Sequence, residues 1–126
     1  MPGGIYVIST TQNQLIDSLV TLTHGVQMDS LYPGRISIQP DKGFFISGFY
    51  GAVQKFDLST LAVEDTLDGL FYNVAVNTLD PNDQHVYCTD ATSMPGEFKI
   101  YDAAFQLIHS FTVGDFPSGI VFRNER

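Results

Sequence analysis

Apolar residues along this chain fall into short runs, many alternating with polar ones, and each run is closed by Gly, Pro, Asn, Asp or Ser. Alternation with such punctuation predicts β-strands joined by tight turns. Residues 35–38 read as a first strand, ended by Gln39-Pro40-Asp41-Lys42-Gly43. There a proline that cannot continue a ladder precedes a glycine free to take positive φ. Residues 44–47 follow as a second strand, and 48–51 as a tight connection. Residues 53–57 form a third strand, Leu58-Ser59-Thr60 a turn, and 62–67 a fourth strand.

The same succession then recurs. Its four strands are residues 73–76, 85–89, 98–102 and 107–111, with a turn at 79–84 (LDPNDQ) and a connection at 91–96. GAVQKFDLSTLAVEDTL, from Gly51, answers to GEFKIYDAAFQLIHSF, from Gly96, and a fainter copy, GGIYVISTTQNQLIDSL, starts at Gly3. The matched glycines lie about 45 positions apart, a spacing typical of four-stranded propeller blades. The middle strands are apolar on both faces, as Phe44-Phe45-Ile46 and Val86-Tyr87-Cys88 show, so they belong inside a stack of sheets.

The predicted fold is therefore all-β, a β-propeller fragment of antiparallel strands. Complete blades are expected over roughly residues 33–67 and 72–111, with partial-blade strands at 3–19 and 117–122. Closed propellers need about four to eight blades. The chain is thus expected to be a piece of a longer propeller, or to be completed by copies of itself that pair otherwise open edges. A two-sheet sandwich is the alternative, because periodicity alone does not exclude it.

Charge narrows the partners. Six Lys plus Arg against fourteen Asp plus Glu give a net charge of −8, which repels phosphate backbones and anionic membrane surfaces. No nucleic-acid partner and no membrane insertion are expected, and no segment approaches the length of a membrane span. Ten Phe and six Tyr with no Trp suit strands. The single cysteine, Cys88, has no intrachain disulfide partner, which leaves the redox compartment open. MPGGIYVIST at the start has neither basic residues nor an apolar stretch of signal-peptide length. That fits a cytosolic chain or one whose leader has been removed upstream.

Pro33-Gly34-Arg35-Ile36-Ser37-Ile38-Gln39-Pro40-Asp41-Lys42-Gly43, followed by Phe45-Ile46-Ser47-Gly48 and Val53-Gln54-Lys55-Phe56-Asp57, resembles the repeat of YVTN-type β-propellers. That group includes lactonase-like and surface-layer-type proteins. The second unit echoes the signature tetrapeptide as Tyr87-Cys88-Thr89-Asp90, with Cys for Val and Asp for Asn. The resemblance covers nearly the whole chain and implies a propeller that is periplasmic or extracellular. Activity does not follow from it, because members of such groups differ in what they bind.

The candidate chemistry is sparse. His24, His85 and His109 stand at no metal-ligand spacing, so neither a metal site nor a cofactor is expected. Cys88 aligns with Ile46 of the other unit, which makes it core filler. Asp57, Asp102 and Ser9 each end a third strand before its turn, the place of a side chain that accepts backbone N–H bonds. Leu79-Asp80-Pro81-Asn82-Asp83 gathers two carboxylates and an amide but lacks the ligand ladder of an EF-hand, and reads as a polar turn.

The loops entering each first strand carry recurrent aromatics: Tyr32, Tyr72 and Phe116, joined by Arg35 and Asn73. In a propeller these loops rim the central channel, where aromatics bind sugars, peptides or small apolar ligands. Packing between blades is the alternative role for the rings. Together these features predict a non-catalytic binding or scaffold module that presents loops to a protein or carbohydrate partner. A lactonase-like hydrolase with its site at the channel mouth is the alternative function.

Overall fold

Every described element is a β-strand, as the alternation and turn spacing predict. The computed structural model describes residues 4–20, 33–47, 50–90, 92–117 and 119–124. The strands are β1 (Gly4–Ser9), β2 (Gln14–Val20), β3 (Pro33–Ile38), β4 (Lys42–Ser47), β5 (Gly51–Asp57), β6 (Val63–Ala75), β7 (Val86–Asp90), β8 (Glu97–Tyr101) and β9 (Leu107–Thr112). β1 and β2 form a two-stranded sheet, and β3 to β9 form a seven-stranded sheet in chain order. All neighbouring strands are antiparallel.

Three hairpins close on related turns, the third one residue shorter than the other two, and the turns follow from their sequence. The N–H of Asn13 donates to Ser9 O at 2.8 Å, that of Leu61 to Asp57 O at 2.8 Å, and that of Phe105 to Asp102 O at 3.0 Å. Asn13, Leu61 and Phe105 all take left-handed backbone, with φ of 54°, 57° and 62°. In each hairpin the pairing slips by a bulge near the end of the third strand, between Val7 and Ile8, Lys55 and Phe56, and Ile100 and Tyr101. The expected acceptors do this work. Asp57 Oδ1 takes N–H bonds from Ser59 at 2.8 Å and Thr60 at 3.0 Å, Asp102 Oδ1 takes them from Ala104 and Gln106 at 2.9 Å, and Ser9 Oγ takes that of Gln12 at 3.2 Å. The Ser59 hydroxyl and the N–H groups of Thr60 and Ser59 hold the Asp57 carboxyl well below the usual carboxylate range.

The two repeat units are not separate sheets. The segment expected to hold two strands, 62–67 and 73–76, with a break at 68–72 is spanned from Val63 to Ala75 by one 13-residue strand, β6. Its first half pairs with β5 and its second half with β7, and Phe71 lies between Gly51 and Asp90. The change of partner occurs beside Gly69, whose φ of +152° suits glycine. A Cβ there would stand 2.6 Å from the Phe71 ring. Gly69→Val therefore combines a disfavoured backbone with a clash. It is expected to cost about 2–3 kcal/mol, read as a lower urea midpoint at unchanged slope.

Across this bend the two halves of the sheet face each other. Phe44, Ile46 and Val53 on the first leaf close on Phe71, Val74, Val76, Val86, Cys88, Tyr101 and Phe105 of the second. Lys55 Nζ donates to Ala103 O at 2.9 Å, and the N–H of Val76 to Ser37 Oγ at 3.1 Å, tying the leaves at two further places. The opposite face of the first leaf buries Phe45, Phe56 and Leu61 beneath Ile5 and Val7 of β1. The layer order is thus hairpin, first leaf, second leaf, and it explains why β4 is apolar on both sides.

Two expectations need correction. Gly43 pairs with Phe56 and Val86 with Tyr101, so Cys88 stands where Phe45 does, one place from the alignment with Ile46. Consecutive apolar residues let the sequence slide by one, and only the ladder decides the register. The same register sets the Asp90–Lys99 ion pair where Ser47 and Gln54 share a hydrogen bond in the first leaf. Second, residues 119–124 carry no strand.

Candidate functional site

Of the predicted rim residues, Tyr72 and Phe116 come together, with ring centroids 6.1 Å apart at 64°. Tyr72 follows the β6 bend, and Phe116 sits beyond β9 at a φ of 53°. A third ring, Tyr50, lies 5.8 Å from Tyr72. Tyr50 and Phe116 are 50% and 60% exposed, so two of the three rings offer open surface. Asn73 Oδ1 accepts the N–H of Val74 at 2.9 Å, and its backbone pairs with Thr89. Arg35 lies on β3. Tyr32 falls outside the described residues, as does His24.

Tyr50 was hidden in a stretch that reads as a tight connection. The available signal was a large aromatic placed between turn residues, where nothing local needs its bulk.

Polar pairs behind this rim are structural. Asp90 is 4% exposed and accepts Lys99 Nζ at 2.7 Å and the Thr92 N–H at 2.7 Å. Burial drives its carboxyl upward, but the Lys99 and Thr92 bonds outweigh this and hold it below the usual range. In the first leaf, Gln54 Nε2 donates to Ser47 Oγ at 3.2 Å and its Oε1 accepts the Thr66 hydroxyl at 2.6 Å.

At the far end of the second leaf, Asp83 organises the 79–84 turn. Its Oδ2 accepts Tyr87 OH at 2.7 Å and Asn77 Nδ2 at 3.0 Å, and its Oδ1 accepts the His85 N–H at 2.9 Å. Burial and the Asp83 bond push the Tyr87 phenol up to about 12. Both Asp83 oxygens are thus engaged by the protein itself. Among the described residues no three His, Cys, Asp or Glu side chains gather as a metal set. Cys88 is fully buried, and burial, with the nearby Asp90 charge, pushes its thiol far up; a thiol so held is a poor nucleophile.

No protein-family model and no curated protein matches the sequence. Among solved structures, the chain is similar to hydrazine synthase of Kuenenia stuttgartiensis, with a TM-score of 0.54 and 26% identity. That similarity covers 69% of this chain and 25% of the other, so this chain spans about a quarter of its length.

Proposed function

We propose that the chain forms consecutive β-propeller blades and acts as a non-catalytic binding module, with the Tyr50–Tyr72–Phe116 rim as its contact surface and a neutral carbohydrate as its ligand. The propeller reading is supported by the layered leaves, each built on the same hairpin and each turned onto the one before. β6 supports it too, passing from the last strand of one leaf to the first of the next. In sequence, Tyr87-Cys88-Thr89-Asp90 and the 33–43 stretch support a YVTN-type repeat.

The exposed aromatic cluster is the observation that carries the binding role. Rings that meet tilted, as Tyr50 and Tyr72 do, or edge to face, as Tyr72 and Phe116 do, are not stacked on each other, and open ring faces stack on sugars without needing charge. A net charge of −8 favours a neutral ligand over an anionic one. The strongly held carboxylates, Asp57, Asp83 and Asp90, are spent on turns and on an ion pair. The hydrolase alternative requires polar groups converging from several first strands. Of the two polar residues predicted there, Asn73 has its side chain described, and its Oδ1 accepts the backbone N–H of Val74.

Titration against a panel of neutral oligosaccharides tests this. Binding to at least one is expected, and Tyr72→Ala or Phe116→Ala should weaken it about fivefold, as loss of an aromatic contact worth about 1 kcal/mol predicts. Glycan binding that ignores both substitutions, or capture of a protein through this rim with no glycan response, would refute the carbohydrate assignment.

A further inference from the structure

The layers of this chain meet through one kind of interface used twice, and the two halves of a third such interface are exposed at opposite ends of the stack. In the first use, Ile5 and Val7 of the hairpin cover Phe45, Phe56 and Leu61. In the second, Phe44, Ile46 and Val53 cover Val86, Cys88, Tyr101 and Phe105. The ladders make Phe44 equivalent to Tyr87 and Val53 equivalent to Phe98. One step further along the series, the covering face is therefore the outer side of β7–β9, with Tyr87, Phe98, Ile100 and Phe111. Phe98 and Phe111 stack there at 5.0 Å, and Phe111 is 45% exposed.

The complementary half lies on the outer side of the hairpin. The shared position of the bulge makes Ile8 equivalent to Phe56 and Tyr101, the two residues that the covering faces bury. Ile8 is 63% exposed, and Tyr6 and Leu15 beside it are also exposed.

The second leaf has already begun this third interface. Val113 N–H donates to Gly96 O, and Gly96 N–H to Gly114 O, where Gly51 pairs with Phe71 in the first leaf. Beyond them Phe122 lies against Tyr87 at 4.9 Å, as Val76 lies in the cluster with Phe44. Phe122 thus lies on the inner part of this face, and beyond it the stacked Phe98 and Phe111 rings stand at the place where a third and a fourth strand would pack. The β1–β2 hairpin is such a pair.

From this we infer that the outer face of β7–β9 receives the outer face of the β1–β2 hairpin of a second copy, so that chains associate head to tail through a continuation of their internal layering. The contact joins two different surfaces, so it propagates into a ring or a longer stack. It does not depend on the aromatic rim or on any ligand.

Light scattering on the full chain over a concentration series reads the mass. The expected value is at least twice the 13.9 kDa of one chain. Ile8→Glu and Phe111→Glu alter side chains that are exposed, so each variant should keep the wild-type circular dichroism and run as a single chain. Mixed in equal amounts they should form a two-chain particle, because one keeps the covering face and the other keeps the hairpin face. Should either fail to fold, Tyr6→Lys and His109→Glu probe the same two surfaces. A wild-type chain of 13.9 kDa at every concentration overturns the inference. So does a wild-type assembly whose single-face variants do not recover association on mixing, since that assembly uses another surface.

Discussion

Phe44→Ala is expected to lower stability by about 3–5 kcal/mol, the cost of removing a buried phenyl ring from a packed core. Phe44 is 2% exposed and meets Phe105 edge to face at 6.1 Å across the gap between the leaves. Domains of this size have about 5–15 kcal/mol in total, so the loss is a large share of what holds the fold. Leu79→Ala, at an exposed loop position, should stay within about 0.5 kcal/mol and serves as the reference. Urea titrations of both decide the matter. A Phe44→Ala cost below about 1 kcal/mol would mean that the two halves of the sheet do not press together there.

Phe45→Ala should cost a similar amount through a different contact. Phe45 lies in the other core, 5.8 Å from Phe56 and beneath the hairpin. Adjacent in sequence, the two rings belong to different core clusters, so their effects should add to within about 0.5 kcal/mol. Strong coupling between them would contradict the layered arrangement.

Lys99→Met is the second large effect, about 3 kcal/mol at neutral pH, because it strands a buried carboxylate while keeping most of the apolar stem. The value belongs at the lower end of the range for broken buried pairs, since the Thr92 N–H and hydroxyl continue to donate to Asp90. The pH dependence gives the sign. In the wild type, Asp90 is held below its ordinary value in the folded state, so its contribution is full above the unfolded carboxylate pKa of about 4. It is lost as the pH falls through the folded value. In Lys99→Met that carboxyl loses the strongest of the bonds that hold it down, so it titrates higher than in the wild type and the variant gains relative to wild type in acid. The gap between the two proteins should shrink from pH 7 to pH 3. Asp57 and Asp83 are held low in both proteins and cancel in the difference. A gap that is constant with pH would show that the Lys99 ammonium does not set the Asp90 charge.

The rim illustrates how a site can be partly legible. Tyr72 and Phe116 stand out because aromatics recur where the chain enters a first strand, a pattern visible without coordinates. Tyr50 does not recur. It joins them because the β4–β5 connection and the β6 bend reach the same end of the sheet, where Gly51 pairs with Phe71. Proximity of that kind depends on hydrogen-bond register, which no local pattern encodes.

Register is also where Cys88 moves from the place of Ile46 to that of Phe45, and where Asp90 and Lys99 become an ion pair across two strands. Either alignment puts apolar residues in the middle strands. What separates them is Gly43: the Phe56 ring lies over it, in space that any side chain would fill. That preference exists only once β4 and β5 are side by side.

The sequence by itself determined the all-β character, the place of most strands and the hairpin turns that repeat along the chain. These arise from short-range causes: side chains that suit a pleat, prolines that end ladders, and Asp or Ser side chains that bond the next few N–H groups. The tertiary structure alone decided that β6 runs unbroken through Gly69, that residues 119–124 form no strand, and which residues face which leaf. Those outcomes rest on partners distant in the chain, since a strand exists only beside another and an apolar face is buried only when a second face closes on it.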